Sequence, residues 1–214
     1  MKIAFLGDSI TQGVGASCED KNYVSLVRDR LNCTVYNYGL SGTRIARQIS
    51  INRSTIWNYD FRLRLDVMTG DCDLVFIFGG TNDYGHGALH LGNANTNDEN
   101  TFCGQLRLLI EKLIQKYGKN KLCFILPLRR FDENAVCSKG ENLNEIGATL
   151  AEYVDAMRQI ISEYGIDFID LYNNGIPKPK TNEGDEYTVD GVHPNDNGYR
   201  LIAEKVCDYI NLLI

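Results

Sequence analysis

The stretch Lys2-Ile3-Ala4-Phe5-Leu6-Gly7-Asp8-Ser9-Ile10-Thr11-Gln12-Gly13 decides how the chain folds. Ile3 to Leu6 is a short apolar run without polar alternation, which reads as a strand buried on both faces, and Gly7-Asp8-Ser9 marks where it leaves the sheet. Ser9 therefore falls at a strand's carboxyl end, the end at which open α/β sheets bind ligands. A serine there is either a turn residue that caps a helix or a nucleophile on display.

The residues that follow repeat the pattern. Tyr23, Val24, Val27 and Leu31 recur at helical spacing, and Cys33-Thr34-Val35-Tyr36 reads as a β-branched, aromatic strand that gives way at Asn37 to the turn Asn37-Tyr38-Gly39-Leu40-Ser41-Gly42-Thr43. The stretch from Thr43 to Met68 is expected to be helical in part, on a poor apolar pattern. Cys72 to Phe78 is the clearest strand, bounded by Gly79-Gly80-Thr81-Asn82-Asp83. A long Gly- and Asn-rich loop is expected from Tyr84 to Asn100, and loops of that length tend to bind or cover ligands. Phe102, Leu106, Leu109, Ile110, Leu113, Ile114 and Tyr117 then form an amphipathic helix closed by Gly118.

Lys121 to Leu128 supplies a fourth strand, stopped near Pro127. Ile146, Leu150, Tyr153, Met157, Ile160, Ile161 and Tyr164 supply a helix ended by Gly165, and Ile166 to Leu171 a fifth strand. A polar segment, 173–195, carries Asp190-Gly191-Val192-His193-Pro194 before a last helix on Tyr199, Ile202, Val206, Ile210 and Leu213. Strands alternating with helices predict a three-layer α/β/α sandwich around a parallel sheet of order 2-1-3-4-5. Right-handed crossovers then bring the turns holding Ser9, Gly42 and Asn82 together, and the 173–195 segment is long enough to carry Asp190 and His193 back to Ser9.

Composition narrows the classes of function. The 214 residues, 43% of them hydrophobic, suffice for one compact domain over residues 1–214 that buries roughly 70% of its unfolded surface. A formal net charge of −6, with no basic cluster longer than Arg129-Arg130, argues against a nucleic-acid partner. The seven cysteines are scattered and include no CxxC pair, so neither a disulfide framework nor a zinc site is expected. No run is long enough for stable membrane insertion, and the first residues hold too few apolar positions for a signal-peptide core. The expectation is a cytoplasmic protein, or a secreted one if a leader has been removed.

A serine hydroxyl becomes a nucleophile only when a base within hydrogen-bond reach takes its proton, and the base needs a partner that fixes its tautomer. His193 is the histidine best placed to serve as that base. Asp190 precedes it by three residues, and one turn at Gly191-Val192 lets its carboxylate reach one ring nitrogen while the other faces Ser9. Attack on an ester also creates an oxyanion, for which the N–H of Ser9, the N–H of Gly42 and the side-chain amide of Asn82 are the available donors. Gly39 stands in the same turn as Gly42 and is an alternative to it. Asp8 and Asp83 are expected to order turns. His86, His90, Trp57, Arg44, Arg129 and Arg130 are either pocket lining or surface.

Gly7-Asp8-Ser9-Ile10-Thr11, Gly42 in its turn, Gly79-Gly80-Thr81-Asn82-Asp83 and Asp190-Gly191-Val192-His193-Pro194 together resemble the four blocks of the SGNH hydrolases, or GDSL lipases and esterases. The blocks occur in the family's order across nearly the whole chain, with Ile10 where the nominal motif has Leu. The resemblance implies a flavodoxin-like fold and a carboxylic ester hydrolase acting on a small-molecule ester. Ser9 would be the nucleophile, His193 the base and Asp190 its partner, with Gly42 and Asn82 as oxyanion donors and no metal or cofactor. The polar, Asn-rich loop from Tyr84 to Asn100 and the lack of a large apolar patch near the blocks make the expected substrate a short acyl group such as acetyl on a polar or carbohydrate carrier. A lysophospholipase or thioesterase of the same family is the alternative.

Each block alone has a plainer reading, since Gly-Asp-Ser, Asn-Asp and Asp-Gly are ordinary turn and cap sequences. Two functions from other classes compete. Asp8, Asp83, Asp190 and His193 offer Mg²⁺ ligands for a phosphohydrolase, although Ile10 stands where a second aspartate would be wanted. A phosphate- or flavin-binding module is weakened by Cys18, which replaces the third glycine of a fingerprint begun by Gly13-Val14-Gly15.

Overall fold

The computed structural model describes residues 1–47, 60–87, 89–135 and 147–213. Trp57, Cys137 and Ile146 lie outside the described residues, as does most of the interior of the 43–68 stretch. Five strands, β1 (Lys2–Gly7), β2 (Thr34–Gly39), β3 (Leu74–Phe78), β4 (Leu122–Ile125) and β5 (Asp167–Ile169), form one sheet of order β2-β1-β3-β4-β5. Every pairing in it is parallel. This is the expected α/β architecture.

The strands are apolar on both faces because both faces are covered. Ala4, Leu6, Val75, Ile77, Leu122 and Phe124 point to one side, where they meet α5 (Phe102–Tyr117) and α6 (Leu150–Glu163). Ile3, Phe5, Phe76, Phe78, Cys123 and Ile125 point to the other, against α2 (Tyr23–Leu31) and α8 (Asp196–Asn211). The rings of Phe5 and Phe76 stack at 5.2 Å, and Tyr23 meets Phe5 edge-on at 5.5 Å. These contacts lock β1 to its neighbours on the layer behind Ser9.

Short helices fill the sheet's carboxyl edge: α1 (Ser9–Gln12), α3 (Phe61–Arg64), α4 (Thr81–His86) and α7 (Leu171–Asn174). The fourth strand, expected over Lys121–Leu128, spans only Leu122–Ile125, and the fifth, expected over Ile166–Leu171, ends at Ile169, with Leu171 already in α7. Two further boundaries differ from the sequence reading for tertiary reasons. β2 continues to Gly39 because its register with β1 runs on to the pair Gly7↔Gly39, so Asn37 and Tyr38 are strand and not turn. The loop expected from Tyr84 begins instead after His86. Helix α4 takes in Gly85 despite its low propensity, because Tyr84 is buried in the core beside Tyr153.

Gly39 lies flush against α1. A Cβ on it would stand 2.1 Å from the backbone nitrogen of Gln12 and 2.4 Å from the carbonyl carbon of Thr11. Neither atom belongs to a movable side chain. Gly39→Ala is therefore expected to cost about 2 kcal/mol or more and to displace α1, read as a lowered denaturation midpoint and lowered activity together. An unchanged midpoint would show that α1 does not seat on β2 in this way.

Candidate functional site

Asp8 and Ser9 leave β1 directly into α1. Asp8 caps that helix, its carboxylate accepting from the Ile10 N–H at 3.0 Å, so Ser9 becomes the first helical residue with its own N–H unused by the helix. Ser9 is 4% exposed. Its Oγ stands 3.0 Å from Nε2 of His193, and Nδ1 of His193 stands 2.6 Å from Oδ2 of Asp190. The other oxygen of Asp190 accepts from the N–H groups of Val192 at 3.0 Å and His193 at 2.7 Å. The turn is closed through Gly191, in the left-handed region at φ +75°.

Burial opposes ionisation of Asp190, but bonds from the His193 backbone and ring and the Val192 N–H outweigh it and hold the carboxyl below its usual range. An ionised carboxylate can only accept. Nδ1 therefore donates to it, and in the neutral ring Nε2 is left as an acceptor for the Ser9 hydroxyl. The structure thus brings Ser9, His193 and Asp190 into one hydrogen-bonded line able to move a proton off Oγ.

Gly42 has φ +76°, which a residue with a Cβ rarely adopts, and its turn is tied to the rest of the edge. Leu40 N–H donates to Gly7 O at 3.1 Å, and Ser41 N–H donates to Gln12 Oε1 at 2.7 Å. The N–H of Gly39 is spent on Asn37 Oδ1 at 2.8 Å, which removes it as a donor to a ligand. Asn82 is the second residue of α4, and its Nδ2 donates to Thr43 O at 2.9 Å. An amide nitrogen carries two hydrogens, so that bond fixes the group and leaves one hydrogen to give.

Asp8 and Asp83 are both buried and both spent on backbone. Asp83 accepts from Ile45 N–H at 3.0 Å and Ala46 N–H at 2.8 Å, tying the segment after Gly42 to α4. Burial pushes both carboxyls up to about 6, with these N–H bonds pulling the other way, joined by His193 and Arg64 at Asp8 and by Arg44 at Asp83. Among the described residues no three His, Cys, Asp or Glu side chains gather as a metal-ligand set.

The remaining candidates have structural partners. Arg44 is buried and its guanidinium bonds His86 Nδ1, with Nε at 3.1 Å. Arg129 pairs with Glu133, and Arg130 with Asp132 and the Thr81 carbonyl. His90 is exposed, and its carbonyl accepts from Phe102 N–H. In the 87–101 loop, Asn93 and Asp98 accept from the loop's own Asn95 and Asn100 N–H groups, so these side chains shape the loop. The sequence reading missed Arg64, a buried guanidinium beneath the turns, because one basic residue in a stretch of poor periodicity carries no signal.

The family model for the GDSL-like lipase/acylhydrolase family matches residues 5–201. The chain belongs to that family. It is 24% identical over 219 residues to an acetylxylan esterase of Xylanibacter ruminicola, covering 96% of this chain and 42% of that protein. The chain thus spans less than half the length of that relative. It is 25% identical over 226 residues to the isoamyl acetate-hydrolyzing esterase 1 homolog of Mus musculus, covering 98% of this chain and 81% of that protein. A crystal structure of an acetyl xylan esterase superposes with a TM-score of 0.65 at 25% identity, covering 98% of this chain and 100% of the other. Among the described residues no helix is long and apolar enough to cross a membrane.

The buried carboxyl of Asp8 has a measurable consequence. A folded-state value near 6, above that of the unfolded chain, means that the protonated form is favoured in the fold, so this contribution is full at low pH and lost as pH rises through about 6. Relative to Asp8→Asn, wild type should therefore gain stability on acidification from pH 7 to 4, by up to roughly 3 kcal/mol. Chemical denaturation of both proteins across that range checks it. A constant difference would contradict the burial of an ionisable Asp8.

Proposed function

We propose that the chain is a serine esterase, one domain over residues 1–214, that removes short acyl groups, acetyl foremost, from polar or carbohydrate alcohols. The observation that carries this reading is the line Ser9 Oγ, His193, Asp190, set at the sheet edge where the Gly42 and Asn82 turns converge.

His193 takes the Ser9 proton at Nε2 as Oγ attacks the ester carbonyl, and Asp190 stabilises the imidazolium that forms. The tetrahedral oxyanion accepts from the N–H groups of Ser9 and Gly42 and from the second amide hydrogen of Asn82. Such donors are commonly worth about 10² to 10³ in rate each. His193 returns the proton to the leaving alcohol, then serves as base for the water that releases the acid from Ser9. No step calls on a metal or cofactor, and Asp8 and Asp83, needed by the phosphohydrolase reading, are committed to backbone N–H groups.

Support for acetyl comes from the names of the relatives, which share an acetyl group while their alcohols differ, a polysaccharide in one and a branched alkyl chain in the other. A carbohydrate carrier rests on the two acetylxylan esterases and not on the asparagines of the 87–101 loop.

Short p-nitrophenyl esters should be cleaved in EDTA, and Ser9→Ala should abolish turnover. Full activity in that variant would sink the assignment. His193→Ala should cost more than Asp190→Ala, because the base leaves the reaction in one and is only misoriented in the other. In a chain-length series with acetylated sugars, acetyl should lead. A preference for long acyl chains or thioesters would move the reading to a lysophospholipase or thioesterase.

A further inference from the structure

Arg64 ends α3 and is 7% exposed, yet it makes no ion pair among the described residues. Its fork goes instead to the ends of the strands. Nη1 donates to Gly7 O at 2.8 Å and Tyr38 O at 2.5 Å, and Nη2 donates to Thr43 Oγ1 at 2.9 Å. Thr43 passes the connection on in two directions. Its hydroxyl donates to Leu40 O at 2.7 Å, which turns a lone pair toward Arg64, and its carbonyl accepts from Asn82 Nδ2 at 2.9 Å. The guanidinium carbon also lies 4.7 Å from the centroid of the Phe61 ring, and that ring lies where a Cβ on Gly79 would be, 2.6 Å away. β1, β2 and the exit of β3 thus all rest on α3.

We propose that Arg64 is a positioning residue for ester hydrolysis: acting through Thr43, it sets the spacing between the Ser9 turn and the oxyanion donors Gly42 and Asn82. The inference rests on the esterase reading above. Gly7 stands two residues before Ser9, Thr43 follows Gly42, and Asn82 hangs from the Thr43 carbonyl, so one guanidinium plane fixes points adjoining all three. A lysine cannot replace it, because an ammonium is a point charge without a planar fork that reaches two separated acceptors in fixed directions. Burial lowers the guanidinium to about 10, with Asp8 and Asp60 opposing, so it stays charged at neutral pH.

The test uses the full chain with Arg64→Lys, which keeps the charge, and Thr43→Val, which keeps the shape but removes the hydroxyl. Functional sites are counted by end-point titration with an alkylphosphonate, so that misfolded protein drops out of the rate. Each variant should lose about tenfold or more in kcat per titrated site on p-nitrophenyl acetate, with KM little changed, since small displacements of oriented groups cost rate and not ground-state binding. Affinity for a boronic acid, which mimics the tetrahedral state, should fall in parallel. A purely structural role would lower the number of sites and the melting temperature but leave the per-site kcat intact. Loss of less than tenfold per site in both variants overturns the proposal, and if Arg64→Lys does not fold, Thr43→Val alone decides it. Ser9→Ala run alongside separates the two claims. Residual turnover there refutes the esterase reading, whereas an inactive Ser9→Ala beside variants of wild-type per-site rate refutes only the role of Arg64.

Discussion

Parallel pairing of β1 with β2 on one side and β3 on the other is the constraint from which the site follows. In the observed register Gly7 stands opposite Gly39 and Phe78, so three strands end level with one another. Each chain segment must turn there, and each turn leaves backbone groups without sheet partners. The turns share those groups among themselves: Leu40 N–H on Gly7 O, Ser41 N–H on Gln12, Ile45 and Ala46 N–H on Asp83, Asn82 on Thr43 O. Level strand ends thus become a polar platform with a hydrophobic layer on either face.

That platform carries unusual electrostatic stress. Asp8, Asp83 and Arg64 are all buried within it, and burial disfavours the charged form of each. What offsets the cost is hydrogen bonding to fixed backbone groups, the arrangement in which a buried charge is tolerated and holds its surroundings rigid. Asp190 and His193 arrive on a separate loop from beyond β5. Their local geometry is self-contained, since Asp190 holds both the His193 backbone and its ring, so the loop delivers a preformed pair to Ser9.

Much of this frame is legible in the sequence because it depends on local chemistry. Apolar runs without alternation give β1, β3 and β4, helical spacing gives α2, α5, α6 and α8, and the glycine-rich exits of the strands give the turns. Ser9, Gly42, Asn82, Asp190 and His193 are visible because their blocks are short and continuous. What is not legible is made by tertiary contact. The extension of β2 to Gly39 comes from pairing, the helical form of residues 81–86 from burial of Tyr84, and the importance of Arg64 from three acceptors far apart in sequence. Gly39 and Gly42 are chemically alike in the sequence, and only the spacing of the family's blocks favours Gly42. The structure adds a physical reason, since the N–H of Gly39 is already taken by Asn37.

The central claim is that the hydroxyl of Ser9 is the atom that attacks the ester. Covalent labelling with an alkylphosphonate, followed by digestion and mass spectrometric mapping, tests it most directly. One phosphonate per chain on the peptide carrying Ser9, appearing in step with the loss of esterase activity, is the predicted result. Loss of activity with the label on another residue, or with Ser9 unmodified, would contradict the account.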